Sequence, residues 1–213
     1  MKLSILIPTV PARESLLSRL LFTLDRQLNE EVEVLIYKDN GEATYGQKVN
    51  KMVGMAKGDY ITIFDDDDLI PEDYVSTILE KIKDDPDFIG YYILYLSDGK
   101  FQYLIEHNGD NKEWHGPNFT RRGFSPKCVV KKDIFSKFTF GDSYTSDQTF
   151  SHQIDHSGLI KKHIFIPRCM YYYDFWSDYM LGASSHDESF QKHIHIQRDV
   201  GIYPFSKEKF IWI

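Results

Sequence analysis

Two cysteines are all that this 213-residue chain carries. Cys128 and Cys169 lack metal-ligand spacing, so neither a disulfide framework nor a thiolate metal site is expected, and a reducing cytosol suits the chain. A basic excess is missing as well. The formal net charge is -7, which counts against a protein that wraps a nucleic-acid backbone. Short basic clusters do occur at Arg121-Arg122, Lys131-Lys132 and Lys161-Lys162, and such pairs are usually solvated faces. No apolar run approaches a membrane span, and the N-terminus has no signal-peptide layout. The expectation is a cytoplasmic protein (host cytoplasm if the source is viral) with no stable membrane insertion. Repeats, low-complexity tracts and linkers are also lacking, so one domain over residues 1–213 is expected.

What is present is a regular first half. Leu3 to Ile7 is a short apolar run ending at Pro8, read as a buried parallel strand. Leu16, Leu17, Leu20, Leu21, Leu24 and Leu28 fall on one helical stripe. Val32 to Tyr37 reads as a second strand, stopped by the turn signal Lys38-Asp39-Asn40-Gly41. Val49, Met52, Val53 and Ala56 mark a second helix that ends at Lys57-Gly58-Asp59. Tyr60 to Phe64 is a third strand, running straight into Asp65-Asp66-Asp67-Asp68, and Pro71 suits the first turn of a third helix. Strands alternating with helices imply right-handed crossovers and a mostly parallel sheet flanked by helices, an α/β fold. Ligands bind beyond the carboxyl ends of such strands. Thr9, Asp39 and the aspartates all lie at those ends.

The remainder is less regular. Phe88 to Leu96 and Lys100 to Glu106 flank Asp98-Gly99 and suggest a hairpin. Residues 107–125 read as a long loop, Ser146 to His156 as a short helix, and Leu159 to Ile166 and Arg168 to Asp174 as strands.

Four adjacent carboxylates after an apolar strand repel one another, and a divalent cation relieves that repulsion. Asp65 and Asp67 are spaced so that one binds the ion while the other meets a ribose or a metal-bound water. Bridging two phosphates, such an ion stabilises a departing nucleoside diphosphate. The plainer alternative is a solvated acidic turn, with Asp68 and Glu72 supporting the helix near Pro71 and Asp66 without an assigned role.

The chain resembles family 2 of the glycosyltransferases, with the Rossmann-like GT-A fold. The resemblance rests on Ser4-Ile5-Leu6-Ile7-Pro8-Thr9, Arg13, the strand closing on Asp39, and Gly46-x-Lys48-x-Asn50. It is most specific in Ala56-Lys57-Gly58-Asp59-Tyr60, followed by Ile61-Thr62-Ile63-Phe64 and the aspartates. The resemblance implies a nucleotide-sugar-binding half at about 1–98, and an acceptor half with a C-terminal tail at about 99–213. It implies that Thr9 and Asp39 contact the nucleoside of a nucleotide-diphospho-sugar, a UDP-sugar foremost, with Lys48 and Asn50 near the base or ribose. Asp65 then faces the ribose or metal, and Asp67 is the main ligand of Mn2+ or Mg2+.

An inverting transfer needs a base to take the acceptor proton, which the resemblance assigns to Asp147. Ser146 stands where the family carries glutamate, and Asp142 is the competing candidate. His186 lies where some GT-A enzymes bring a C-terminal histidine to the metal or diphosphate. His115-Gly116-Pro117-Asn118 and Ser125-Pro126-Lys127 resemble short, phage-type members and imply residues shaping the acceptor side. The expected activity is inverting, metal-dependent hexosyl or pentosyl transfer to a glycan, or to a hydroxymethylated base of phage DNA. Two alternatives stay open. One is a sugar-nucleotide-forming nucleotidyltransferase, against which stands the absence of a Gly-rich basic loop after the first strand. The other is a non-catalytic glycan- or nucleotide-binding module.

Overall fold

A computed structural model describes residues 1–97, 100–110, 113–143, 145–175 and 201–213. The chain begins with β1 (Leu3–Thr9), whose seven residues are all buried. A single 3-10 turn leads into α1 (Glu14–Asp25), which buries Leu16, Leu17, Leu20, Leu21 and Leu24. Each such leucine contributes about 1.5–3 kcal/mol on burial. Strand β2 (Val32–Lys38) and helix α2 (Tyr45–Met55) follow. Thr44 and Gln47 form a capping box at the start of α2, each side chain taking the other's backbone N–H. Gly58 lets the next connection pass under β1, because a Cβ there would sit 2.6 Å from the Ser4 nitrogen. Strand β3 (Tyr60–Ile63) is buried throughout.

Helix α3 (Tyr74–Ile82) starts later than Pro71 suggests. The Pro71 carbonyl accepts from Tyr74 N–H at 3.1 Å. The Gln27 side chain holds the same corner, donating to the Pro71 carbonyl and accepting from Val75 N–H, each at 3.0 Å. Strands β4 (Phe88–Ser97) and β5 (Lys100–His107) then pair antiparallel, as a hairpin requires.

Residues 107–125 are not one irregular loop. Within them lie β6 (Trp114–His115) and β7 (Phe119–Arg122), the latter parallel to β5. Strands this short carry no usable alternation. Next come β8 (Val129–Lys131), a single helical turn α4 (Lys132–Phe135) and helix α5 (Ser146–Ser157). The two late strands expected around Pro167 are one strand, β9 (His163–Phe175), in which register shifts against β4 accommodate the proline. The last residues add β10 (Ile211–Trp212) parallel to β2.

Together these form one mixed α/β sheet of order β10-β2-β1-β3-β8-β4-β5-β7-β6, with β9 beside β4. The β2-β1-β3 portion is parallel. Their carboxyl ends therefore open on one edge, where Thr9, Lys38-Asp39 and Phe64-Asp65 emerge.

Candidate active site

Past β3 the chain leaves the sheet through Phe64, which is fully buried and packs on Tyr74 and Tyr171 with ring centroids 5.1 and 5.4 Å apart. The four aspartates that follow face different partners. Asp66 is 1% exposed, accepts from Thr9 Oγ1 at 2.6 Å, and pairs with Arg13 Nη1 at 2.9 Å. Asp67 pairs with the other end of the same guanidinium. Asp68 is equally buried. It accepts from the Tyr171 hydroxyl at 2.5 Å and from Asp174 N–H at 2.9 Å. Asp65 pairs with Lys127 and accepts from the Tyr45 hydroxyl at 3.2 Å. Asp68 thus anchors the turn onto β9 instead of supporting α3, and Asp66 acquires a definite role in locking β3 to β1.

Two further contacts brace the turn. Arg19 donates to the Asp67 carbonyl at 2.6 Å and to Asp174 at 2.9 Å. The Tyr171 oxygen also accepts from Asp65 N–H at 3.1 Å.

The electrostatics are those of crowded carboxylates in a low-dielectric setting. Burial pushes Asp66 up to about 6, opposed by Arg13 and reinforced by Asp67. Burial raises Asp67 too, with Arg13 opposing and Asp65 adding. Asp68 rises well above the usual carboxylate range through burial and then the charges of Asp67 and Asp65. One ligand atom from each of Asp65, Asp67 and Asp68 lies within 4.8 Å of the others. That donor set is all hard oxygen, which suits Mg2+ or Mn2+. A divalent ion would offset both the burial and the mutual repulsion that lift Asp67 and Asp68, so these residues fit the metal.

Asp39 closes the neighbouring strand end. It accepts from Gly41 and Ala43 N–H at 3.0 and 2.9 Å and pairs with Lys48 at 2.5 Å. Against the effect of burial, the Lys48 ammonium and these N–H groups hold its carboxyl below the ordinary value. Lys48, 4% exposed, also donates to the Thr9 carbonyl at 2.7 Å, tying β1 and β2 together.

Asn50 is the residue expected near the base or ribose. Its amide clasps the Phe140 backbone, donating to the carbonyl at 2.9 Å and accepting from N–H at 3.0 Å. Thr9, likewise expected at the nucleoside, has its hydroxyl on Asp66. Asp142 accepts from Thr44 Oγ1 at 2.6 Å on the protein surface. Asp147, in the first turn of α5, lies within electrostatic reach of Lys127 and Asp65. Burial raises its carboxyl, while Lys127 and the Gln148 N–H oppose. The aspartate run, Asp39 and Asp147 therefore share one edge of the sheet. His186 lies outside the described residues.

Tyr45 and Arg19 carry no signal in the sequence that marks them for this site, and nothing in it foretells that Lys127 pairs with Asp65. Ser125-Pro126-Lys127 points by resemblance to the acceptor side, not to the aspartates, and an arginine on an amphipathic helix reads as a surface charge until the fold brings it there. The signal that exists is indirect: four carboxylates in a row call for cations from elsewhere in the chain.

Residues 34–165 match the family model described as glycosyl transferase family 2. Among curated proteins, Glycosyltransferase GlyG of Streptococcus pneumoniae serotype 4 is 34% identical over 80 residues, covering 36% of this chain and 26% of that protein. Among solved structures, S. aureus TarS 1-349 in complex with UDP-GlcNAc superposes with a TM-score of 0.68 at 15% identity. That match covers 91% of this chain and 64% of the other. Mannosyltransferase PcManGT from Pyrobaculum calidifontis, in complex with GDP-Man and Mn2+, gives 0.54 at 14% identity over 80% of this chain and 56% of that one. The chain thus spans about a quarter of its curated relative and less than two thirds of these structures. At such identities the structures establish the GT-A-like fold alone. With the family model covering well over half of the sequence, the chain belongs to glycosyl transferase family 2.

Proposed function

We propose that this protein is an inverting, metal-dependent glycosyltransferase that moves a hexosyl or pentosyl group from a nucleotide-diphospho-sugar, a UDP-sugar foremost, to a hydroxyl of a glycan. The observation that carries this reading is the convergence of Asp65, Asp67 and Asp68 within 4.8 Å at the carboxyl edge of the sheet, with Asp147 within electrostatic reach. Asp67 and Asp65 hold Mn2+ or Mg2+, with Asp68 completing the set. When bound, the ion neutralises charge on the departing diphosphate.

Asp39 accepts a hydrogen bond from the base edge, held in place by Lys48 and two backbone N–H groups. Uracil N3–H and guanine N1–H are both donors, so this contact orients a base without choosing between UDP and GDP. Asp147 takes the acceptor proton as the hydroxyl oxygen attacks the anomeric carbon. The bond from that carbon to the diphosphate oxygen breaks on the opposite face, and the configuration inverts. A carboxyl raised by burial keeps appreciable basicity for this step. The crowded acids around the site disfavour a phosphodiester backbone, which supports a neutral glycan over modified DNA.

The test is UDP release from UDP-GlcNAc with Mn2+. Asp67→Ala abolishes it and chelator does the same to the wild type. Asp147→Asn retains binding of UDP with Mn2+ while release falls by about 10²-fold or more. Full activity of Asp67→Ala in chelator would overturn the metal assignment.

A further inference from the structure

Lys127 pairs with one member of the carboxylate trio and interacts electrostatically with Asp147. Its backbone is held firmly to its neighbours. The Lys127 carbonyl accepts from Thr62 Oγ1 at 3.1 Å and from the Tyr91 hydroxyl, and its N–H donates to Ser125 Oγ at 3.3 Å. The preceding Pro126 carbonyl accepts from Ile63 N–H at 2.9 Å. The arm therefore hangs on β3 just ahead of the aspartates. Its ammonium pairs with Asp65 Oδ2, with the side chain 11% exposed. Asp68 and Asp147 are the next charges that face it.

Asp65 is also one of the three carboxylates that can share a metal. Two cations thus address one carboxylate. An ammonium has no lone pair to offer a metal, and at this range it repels a divalent ion strongly. Arg13 is different in kind, because its two ends are spread over Asp66 and Asp67 and it braces the turn.

We propose that Lys127 is an internal counter-ion that a divalent cation displaces from Asp65. This rests on the metal-binding reading given above.

The experiment measures Mn2+ binding alone by electron paramagnetic resonance at pH 8, without nucleotide. Lys127→Met removes the competing charge and tightens Mn2+ by about tenfold or more, while Lys127→Arg stays near the wild type. Lys127→Gln serves the same purpose if the methionine variant does not fold. Equal or weaker Mn2+ binding in the neutral variants, with the wild type binding normally, overturns this inference and leaves the metal reading intact. No Mn2+ binding in any of these proteins overturns both.

Discussion

Replacing Tyr171 with phenylalanine removes one oxygen from a fully buried position. That oxygen donates to Asp68 at 2.5 Å and accepts from Asp65 N–H at 3.1 Å, so the aspartate turn loses two anchors at once. A hydrogen bond to a charged group contributes about 1.5–3 kcal/mol, and a buried donor left alone costs about 1–3 kcal/mol. Asp68 keeps its bond from Asp174 N–H, and the ring still packs on Phe64. The net loss is therefore set near the lower end, about 3 kcal/mol. For a chain of this size that lowers the melting temperature by roughly 6–12 °C. Urea unfolding gives the free energy, and a cycle with Asp68→Ala isolates the pair, with a coupling of about 1–3 kcal/mol expected. A loss below about 1 kcal/mol, or no coupling, would mean that the turn is held by Arg13 and Arg19 and that the tyrosine is only a packing element.

Gly46→Ala should destabilise by about 1–3 kcal/mol, because the new methyl would lie 2.1 Å from the Gly141 carbonyl oxygen; an unchanged thermal melt would show that the segment 140–142 yields freely. Stability should fall between about pH 4 and pH 7. Asp66 is pushed up to about 6 in the fold against 3.8 ordinarily, so its protonated form is favoured and that contribution disappears as pH rises through about 6. Asp67 and Asp68 shift in the same direction. Urea midpoints of the wild type and of Asp66→Asn across that range check this, with a flatter profile expected for the variant and a rising wild-type profile refuting it.

The first half of the chain was legible because its period switches are clean. Leu16 to Leu24 could only be a helix stripe, and the buried runs of β1 and β2 could only be strands between turn signals. From these the convergence of Thr9, Asp39 and the aspartates follows by topology. What no local pattern reveals is which way each carboxylate turns. Asp66 and Asp68 are neighbours of Asp65 and Asp67 in sequence, yet face Thr9 and Tyr171, residues 57 and 103 positions away. Asn50 sits in a motif suited to the donor, but its amide is consumed by a backbone segment that a helix-by-helix reading leaves unplaced. Strands β6, β7 and β8 escaped notice because each has four residues or fewer, and their pairing is decided by partners far along the chain.

The Asn50–Phe140 clasp has a mechanical side. Phe140 stacks on Phe150 of α5 with centroids 4.1 Å apart, while Asn50 belongs to α2, the helix that carries Lys48. Helix α2 and the helix bearing Asp147 are therefore joined through Phe140, on the irregular segment between α4 and α5, which Asn50 holds by its backbone and Phe150 by its ring. Loss of the Asn50 amide is therefore expected to loosen the seat of α5 as well as the end of α2, so the proposed donor and acceptor sides share one packing support.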